Sequence, residues 1–329
     1  MKVFVTGGTG FVGSHLVEAL LANGHVVACL VRNPHKAERL FGERQPKIIR
    51  GDLSDTKALA AGATGADIVF HVAALTAARS RTEFFALNET ATARVLSAAA
   101  GAPGHLRRFV YVSSLAAAGP SGRGRALQGG EPENPVTHYG ASKLAGELAV
   151  RSSSLAWTIV RPPTVYGPRD VELLKLFRLA RKGVAAVFGD GAQELSLIYV
   201  EDLARALIAA AISPETESKT YFACHPEIIR TRALVTAVHR TVRTDADATP
   251  FVIPIPGPAA RAALWVTGTV ARLAGRATLL SPDKANEFLA AAWTCSPAAL
   301  ERDTGWTAGF DLSAGLASTV AWYRKHGWL

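Results

Sequence analysis

Sulfur is scarce in this sequence. Only one methionine and three cysteines, Cys29, Cys224 and Cys295, occur in 329 residues. The cysteines are odd in number, far apart and without a CxxC pair, which excludes a disulfide framework and fits a reducing compartment. A metal centre is not expected either: "CHPE", Cys224 to Glu227, brings Cys, His and Glu together, but no second cluster with ligand spacing completes it. The start, MKVFVTGG, runs straight into a strand pattern without a charged n-region, a long apolar stretch or a small-residue cleavage site. A cytoplasmic protein is therefore expected rather than an exported one. Basic charge is in excess, with a formal net charge of +9, yet the Lys and Arg residues fall in ones and twos. No basic stripe interleaved with aromatics is present, so nucleic acid is not an expected partner. The excess reads as a solvated surface, with phosphate-bearing ligands or an anionic membrane surface as further uses.

What the sequence does hold is alternation. With 49% hydrophobic and 19% charged residues it can bury a large core as one large domain or two moderate ones. "KVFVTG" reads as a strand, "GSHLVEALLANG" as a helix stopped by Gly24, and "HVVACLVR" as a second strand. "ADIVFHVAA", "RRFVYVSS" and "AWTIVRPP" continue the series, each after a plausible helix. Such alternation predicts an α/β fold, a doubly wound parallel sheet with helices on both faces. After Pro162 the composition shifts to Pro, Gly and helix-like segments, with one return of the strand–helix pattern at "LSLIYVEDLARALIAA". The expected division is a sheet domain over residues 1–165, rejoined by 195–225, and a smaller, mostly helical lobe from 166–194 and 226–329.

Between the first strand and the first helix lies "TGGTGFVG". Gly7, Gly10 and Gly13 have the spacing that permits a tight turn, close approach of a pyrophosphate to the backbone, and close helix–strand packing. The pyrophosphate would rest on free N–H groups at the positive end of the helix, which places Thr9, Phe11 and Val12 beside it. After the second strand come Val31 and Arg32, with no acid for an adenine ribose, so Arg32 is expected to face a 2′-phosphate. Asp52 and Leu53 in "GDLSD" could bracket an adenine, and "HVAA", His71 to Ala74, ends the next strand on the same edge.

"YGASK" places Tyr139 and Lys143 four positions apart, on one face if helical. Taken alone, such a pair is ordinary. It follows "YVSS", which ends a strand at Ser113 and Ser114, by 25 residues counted from Ser114. With TGxxGxxG at the start, Ser at a strand end, YxxxK, "RPPTVYGPRD" and "IYVEDLA", the chain resembles the extended short-chain dehydrogenase/reductase family over essentially its whole length. That resemblance implies Tyr139 as acid/base, Lys143 on the nicotinamide ribose and favouring the tyrosinate, Ser114 on the substrate oxygen, and Asn88 bracing the site. It also implies cofactor contacts from Ala73, Ala74, Pro162 and Val165, with NADP expected and NAD as the other option. A phenol of ordinary pKa near 10 needs a nearby cation to serve as a base at neutral pH.

The family's nucleotide-sugar epimerases commonly read "NVYGP" and "GxQxRDFxxV", where this chain has "TVYGP" and "GAQELSLIYV". Thr164, Leu195 and Ser196 thus replace groups that hold a nucleotide sugar. "VRNP", "RPPTVYGPRD" and the apolar C-terminal segment instead look like the dihydroflavonol-reductase and 3β-hydroxysteroid-dehydrogenase branches. The resemblance therefore implies an NADP-dependent oxidoreductase interconverting a carbonyl and a secondary alcohol on an apolar substrate. The alternatives are an NAD(P)-dependent nucleotide-sugar epimerase or dehydratase and a non-catalytic dinucleotide sensor, and a homodimer is compatible with each.

One segment, "FVIPIPGPAARAALWVTGTVARLAGRATLL" from Phe251 to Leu280, stands apart. Its prolines are expected to break regular structure, and "AARAALWVTGTVARLAG" to form a helix. The uncharged stretch Ala262 to Ala271 falls far short of the roughly 20 residues that cross a bilayer. Three roles remain open: substrate pocket or entrance, buried core, or an interfacial helix on an anionic membrane.

Overall fold

The computed structural model describes residues 1–245 and 247–329. Thirteen strands are present among these: β1 Lys2–Thr6, β2 Val26–Val31, β3 Lys47–Arg50, β4 Ile68–His71, β5 Arg108–Val112, β6 Trp157–Arg161, β7 Thr164–Tyr166, β8 Val184–Phe188, β9 Glu194–Tyr199, β10 Lys219–Phe222, β11 Ile228–Arg230, β12 Phe251–Ile255 and β13 Ala292–Trp293. The helices of the first half are α1 Phe11–Ala22, α2 Pro34–Phe41, α3 Thr56–Ala63, α4 Arg81–Phe85, α5 Ala91–Ala100, α6 Leu115–Ala118 and α7 His138–Arg151. Those of the second are α8 Leu174–Arg181, α9 Val200–Ile212, α10 Thr231–Arg243, α11 Gly257–Leu273, α12 Ala285–Phe288, α13 Ala298–Thr304 and α14 Leu312–Lys325.

Seven strands form one sheet in the order β10-β6-β5-β4-β1-β2-β3, every neighbour parallel. The near-continuous apolar strands read from the sequence are the consequence of burial on both faces. In β1, Val3 and Val5 pack into one layer with Leu16 and Leu20 of α1 and Leu203 and Leu207 of α9. Phe4 between them points the other way, onto Leu59 of α3 and Val95 of α5. That alternation is the period of a strand used to hold two helical layers. The chain runs β1 to β3 outward on one side, then crosses to β4 on the other side of β1. The loops after β1 and β4 therefore open a crevice at the carboxyl edge, where ligands of such sheets bind.

Two local readings need correction. "LSLIYVEDLARALIAA" does make a strand and a helix, and α9 packs on the large sheet, but its strand β9 does not join that sheet. It pairs with β7, β11 and β13 instead, and the seventh strand of the large sheet is β10. "FVIPI" is a strand despite Pro254, paired in parallel with β8 in a two-stranded sheet. Such an edge tolerates a residue with no N–H to give. Helices α8, α10 and α14 close a separate core around Tyr166, Phe177, Leu234 and Tyr323.

Candidate active site

The glycine loop is built to admit a ligand. Gly7 has φ +78°, and a Cβ there would lie 2.6 Å from the Ala73 backbone N, which ties the loop after β1 to the loop after β4. Gly13 packs onto the Gly7 backbone with no room for a side chain, and the Gly10 N–H closes the turn onto Gly7 O at 2.9 Å. Gly10 is also the N-cap of α1, with no side-chain cap and no acid in the first turn. The free N–H groups of α1 at Phe11 and Val12 thus face an uncompensated positive helix end, so a dinucleotide pyrophosphate fits the cradle. Gly8, absent from the G-x-x-G-x-x-G spacing, is equally constrained: a Cβ there would meet Cys29 Sγ at 2.8 Å. Arg32 is exposed at the end of β2, and Asp52, also exposed, is held below the usual carboxylate range by hydrogen bonds from Ser54, with Arg32 contributing. Leu53 is half-buried beside it. Pro162 is buried, its carbonyl accepting from Leu115 N at 2.8 Å, and Val165 packs at the edge of the core.

Tyr139 and Lys143 lie in α7, whose N-cap Thr137 accepts from Gly140 N at 3.1 Å. Ser114 follows β5 and caps α6, its Oγ accepting from Ala116 N at 3.1 Å. Gly140, the second residue of "YGASK", packs directly on the Ala116 carbonyl, so α6 approaches α7 only because no side chain stands there. Burial pushes the Tyr139 phenol up to about 12, the Ser114 hydroxyl opposes the rise, and the Glu287 carboxylate adds to it. Phe84 packs against the ring at 6.1 Å between centroids. Lys143 is buried and donates from Nζ to Val112 O at 2.7 Å, over the Tyr111 ring at 4.2 Å. Its burial lowers the ammonium to about 7, with Glu147 opposing.

Asn88 sits in a π-helical turn, Ala86–Thr90, a distortion that re-aims side chains and recurs at functional sites. Its partners are not local. Oδ1 accepts from Leu75 N at 3.0 Å, and Nδ2 donates to Leu75 O at 3.2 Å and to Ser142 Oγ at 2.9 Å. Asn88 therefore joins the loop that carries Ala73 and Ala74 to the helix that carries Tyr139. A buried chain continues from it: Thr92 donates to Asn88 O at 2.8 Å, which leaves its oxygen to accept from His71 Nε2 at 3.0 Å and His71 Nδ1 to accept from Thr6 at 2.6 Å. Burial holds that imidazole neutral, at about 3, with the Lys143 charge adding to the shift.

Two features of the site have no motif in the sequence. Lys284 Nζ lies over the Tyr139 ring at 4.9 Å while paired with Glu287 at 2.6 Å, and Asp283 accepts from His138 N at 2.9 Å. Beneath the site, Glu147 is fully buried and accepts from Arg161 at 2.7 and 2.8 Å, from Arg151 at 2.9 Å and from Ser113 at 2.5 Å. Among the described residues no group of three His, Cys, Asp or Glu is placed to hold a metal ion. Cys224 of "CHPE" instead donates to Cys295 O at 3.1 Å.

The chain belongs to the NAD-dependent epimerase/dehydratase family, whose sequence model matches residues 3–223. It is an NAD(P)-binding enzyme of the oxidoreductase type. It is 34% identical to the ceramide reductase of Caulobacter vibrioides over 327 residues, 99% of this chain and 96% of that one. It is 33% identical over 315 residues to the 4-hydroxy-2-methyl-3-oxo-4-farnesyl-3,4-dihydroquinoline-1-oxide ketoreductase of Stigmatella aurantiaca, covering 88% and 91% of the two chains. The fold matches that of MoeE5 in complex with UDP-glucuronic acid and NAD, with a TM-score of 0.77 at 24% identity over 99% of this chain and 100% of that one.

Proposed function

We propose that this enzyme reduces a ketone on a lipid-like, apolar substrate with NADPH, using Tyr139 as the proton donor. The observation that carries the reading is the placement of the Tyr139 phenol, protonated at neutral pH, beside the Ser114 hydroxyl at the carboxyl edge of the sheet. When bound, the reduced nicotinamide supplies the hydride to the carbonyl carbon. Ser114 accepts from Ala116 N, so its own proton is free to hold the carbonyl oxygen. Tyr139 gives that oxygen its proton, the C=O π bond becoming C–H and O–H, and the phenolate left behind lies under the Lys284 ammonium. Lys143 spends one donor on Val112 O and has two more for a ribose. Asn88 positions α7 against the Leu75 loop. In this reading residues 1–165 with 195–225 carry the cofactor, and 166–194 with 226–329 the substrate.

An apolar substrate is supported by what replaces the sugar-nucleotide groups. Ser196 is buried and spent on the Cys295 backbone, accepting from its N at 3.0 Å, and Leu195 packs against the apolar core. No charge stands at either position. The ceramide reductase and the farnesyl-bearing ketoreductase among the relatives point the same way. Exposed Arg32, after a strand that ends in Val31, supports NADPH over NADH by about tenfold to a hundredfold, the worth of one charge-assisted contact. The test follows nicotinamide absorbance with both cofactors against long-chain ketones, small ketones and nucleotide sugars. Turnover confined to nucleotide sugars would overturn the substrate class, and equal kcat/KM for the two cofactors would remove the role of Arg32.

A further inference from the structure

Helix α11 buries only a narrow stripe, Ala260, Leu264 and Gly268, one residue per turn. Gly268 lies against Pro282, where a Cβ would meet Cδ at 2.6 Å, and Thr267 donates to Leu280 O at 2.8 Å. Everything bulky on the rest of the helix faces outward. Trp265 is 62% exposed, Val266 52%, Val270 60% and Leu273 85%. At 100° per residue these four fall on the side away from the buried stripe. Such side chains are not core, and scattered surface apolars do not explain them, because Phe251, Ile253 and Leu280 of the same segment are exposed as well.

The charge within this segment of the chain has one sign. Between Asp247 and Asp283 there is no acidic residue, while Arg261, Arg272 and Arg276 are all exposed. Arg261 and Arg272 are about three turns apart and line the same flank of the helix. An outward apolar face flanked by arginines and free of acids is complementary to the boundary of an anionic bilayer, not to water. The helix cannot cross that bilayer, since no helix among the described residues is long and apolar enough. Its 17 residues span about 25 Å, so it would lie along the surface.

From this face we infer that α11 is a membrane-docking helix that seats the enzyme on anionic lipid, with Trp265, Val266, Val270 and Leu273 inserted at the headgroup boundary. The position of the helix serves the reaction: the residues it packs on, Leu280 to Pro282, lead directly into Asp283, which caps the catalytic helix, and Lys284, which covers Tyr139. A bilayer-borne substrate would thus be taken up next to the acid. The inference rests on the proposed lipid-like substrate for its purpose, not for its measurement.

The test is co-sedimentation of the full chain, without substrate or cofactor, with vesicles of phosphatidylglycerol and phosphatidylcholine, and of phosphatidylcholine alone. Binding is expected to the anionic vesicles, to weaken with salt, to fall at least tenfold in the double variant Trp265→Asp, Leu273→Asp, and to fall about fivefold for each Arg→Gln at 261, 272 or 276. Reduction of a short, water-soluble ketone is expected to be unchanged in the double variant, which also shows that it folds. No sedimentation, or sedimentation that the double variant leaves intact, overturns the inference. A dimer in the wild type that the double variant splits, with no change on vesicles, overturns it in favour of a protomer interface. Vesicle binding together with turnover of nucleotide sugars alone keeps the dock and overturns only the proposed substrate.

Discussion

The carboxyl edge around α7 and the outer face of α11 solve opposite problems with similar helices. Around α7, polar and charged groups are buried and every one is held: Glu147 by two arginines and a serine, Asn88 by Leu75 and Ser142, Lys143 by Val112. On α11, apolar groups are exposed and touch little. The first region is expensive to disturb, because a buried polar group that loses its partner keeps its desolvation cost. The second is cheap to disturb in water, and its sequence matters only when something covers it. The lesson is that tolerance to substitution in a stability assay says nothing about the use of α11.

The sharpest break in that contrast should come from Tyr139→Phe. The change removes one ionisable oxygen and little volume, so kcat should fall by about 10²- to 10⁴-fold with cofactor affinity and melting temperature nearly unchanged. A variant keeping more than about a tenth of wild-type kcat is incompatible with Tyr139 as proton donor. Next is Glu147→Ala, which takes from Arg161, 4% exposed, its two shortest hydrogen bonds and leaves Glu133 as its remaining carboxylate. Denaturant unfolding should show a loss of about 3 kcal/mol, the low end for a broken buried pair. A loss below about 1 kcal/mol would mean that Glu133 alone satisfies Arg161.

Titration of Lys143 sharpens the comparison further. Its folded pKa is about 7 against 10.5 for the free side chain. The unfolded chain therefore binds the extra proton between those values, and the contribution of Lys143 to stability improves as pH rises from about 7 to 10.5. The slope from this one group reaches at most about 1.4 kcal/mol per pH unit. Half-buried Tyr139 and buried Cys29, both raised to about 12, pull the other way at the alkaline end. The clean measurement is thus the difference between wild type and Lys143→Met, and a pH-independent difference across that window would show the amine is not desolvated. The smallest effect belongs to α11: Leu273→Ser should change unfolding free energy by no more than about 0.5 kcal/mol. A loss of 2 kcal/mol would place Leu273 in a core and remove the contrast altogether.

The sheet half was legible because its signals are short-range. An apolar strand, a glycine turn and an amphipathic helix each declare themselves within a dozen residues, and "TGGTGFVG" and "YGASK" lie where such elements meet the carboxyl edge. Even there the reading was partial. Strand β10, "KTYF", carries only four residues and was hidden by the stronger pattern of β9, which the tertiary structure sends to another sheet. The rise of the Tyr139 phenol and the fall of the Lys143 ammonium were not legible either, because desolvation depends on which distant elements close over a group and not on spacing.

By itself, then, the sequence determined the parallel α/β fold, the glycine turn between β1 and α1 and the placing of Tyr139 and Lys143 on one helix, since all three follow from local periodicity and backbone geometry. Only the tertiary structure decided that Asn88 binds Ser142, that Lys284 covers Tyr139 from 145 positions away along the chain, and that the bulky side of α11 faces outward. Those outcomes depend on which distant surfaces meet. A helix with apolar residues on most of its sides has no preferred inner face until the rest of the chain covers one of them.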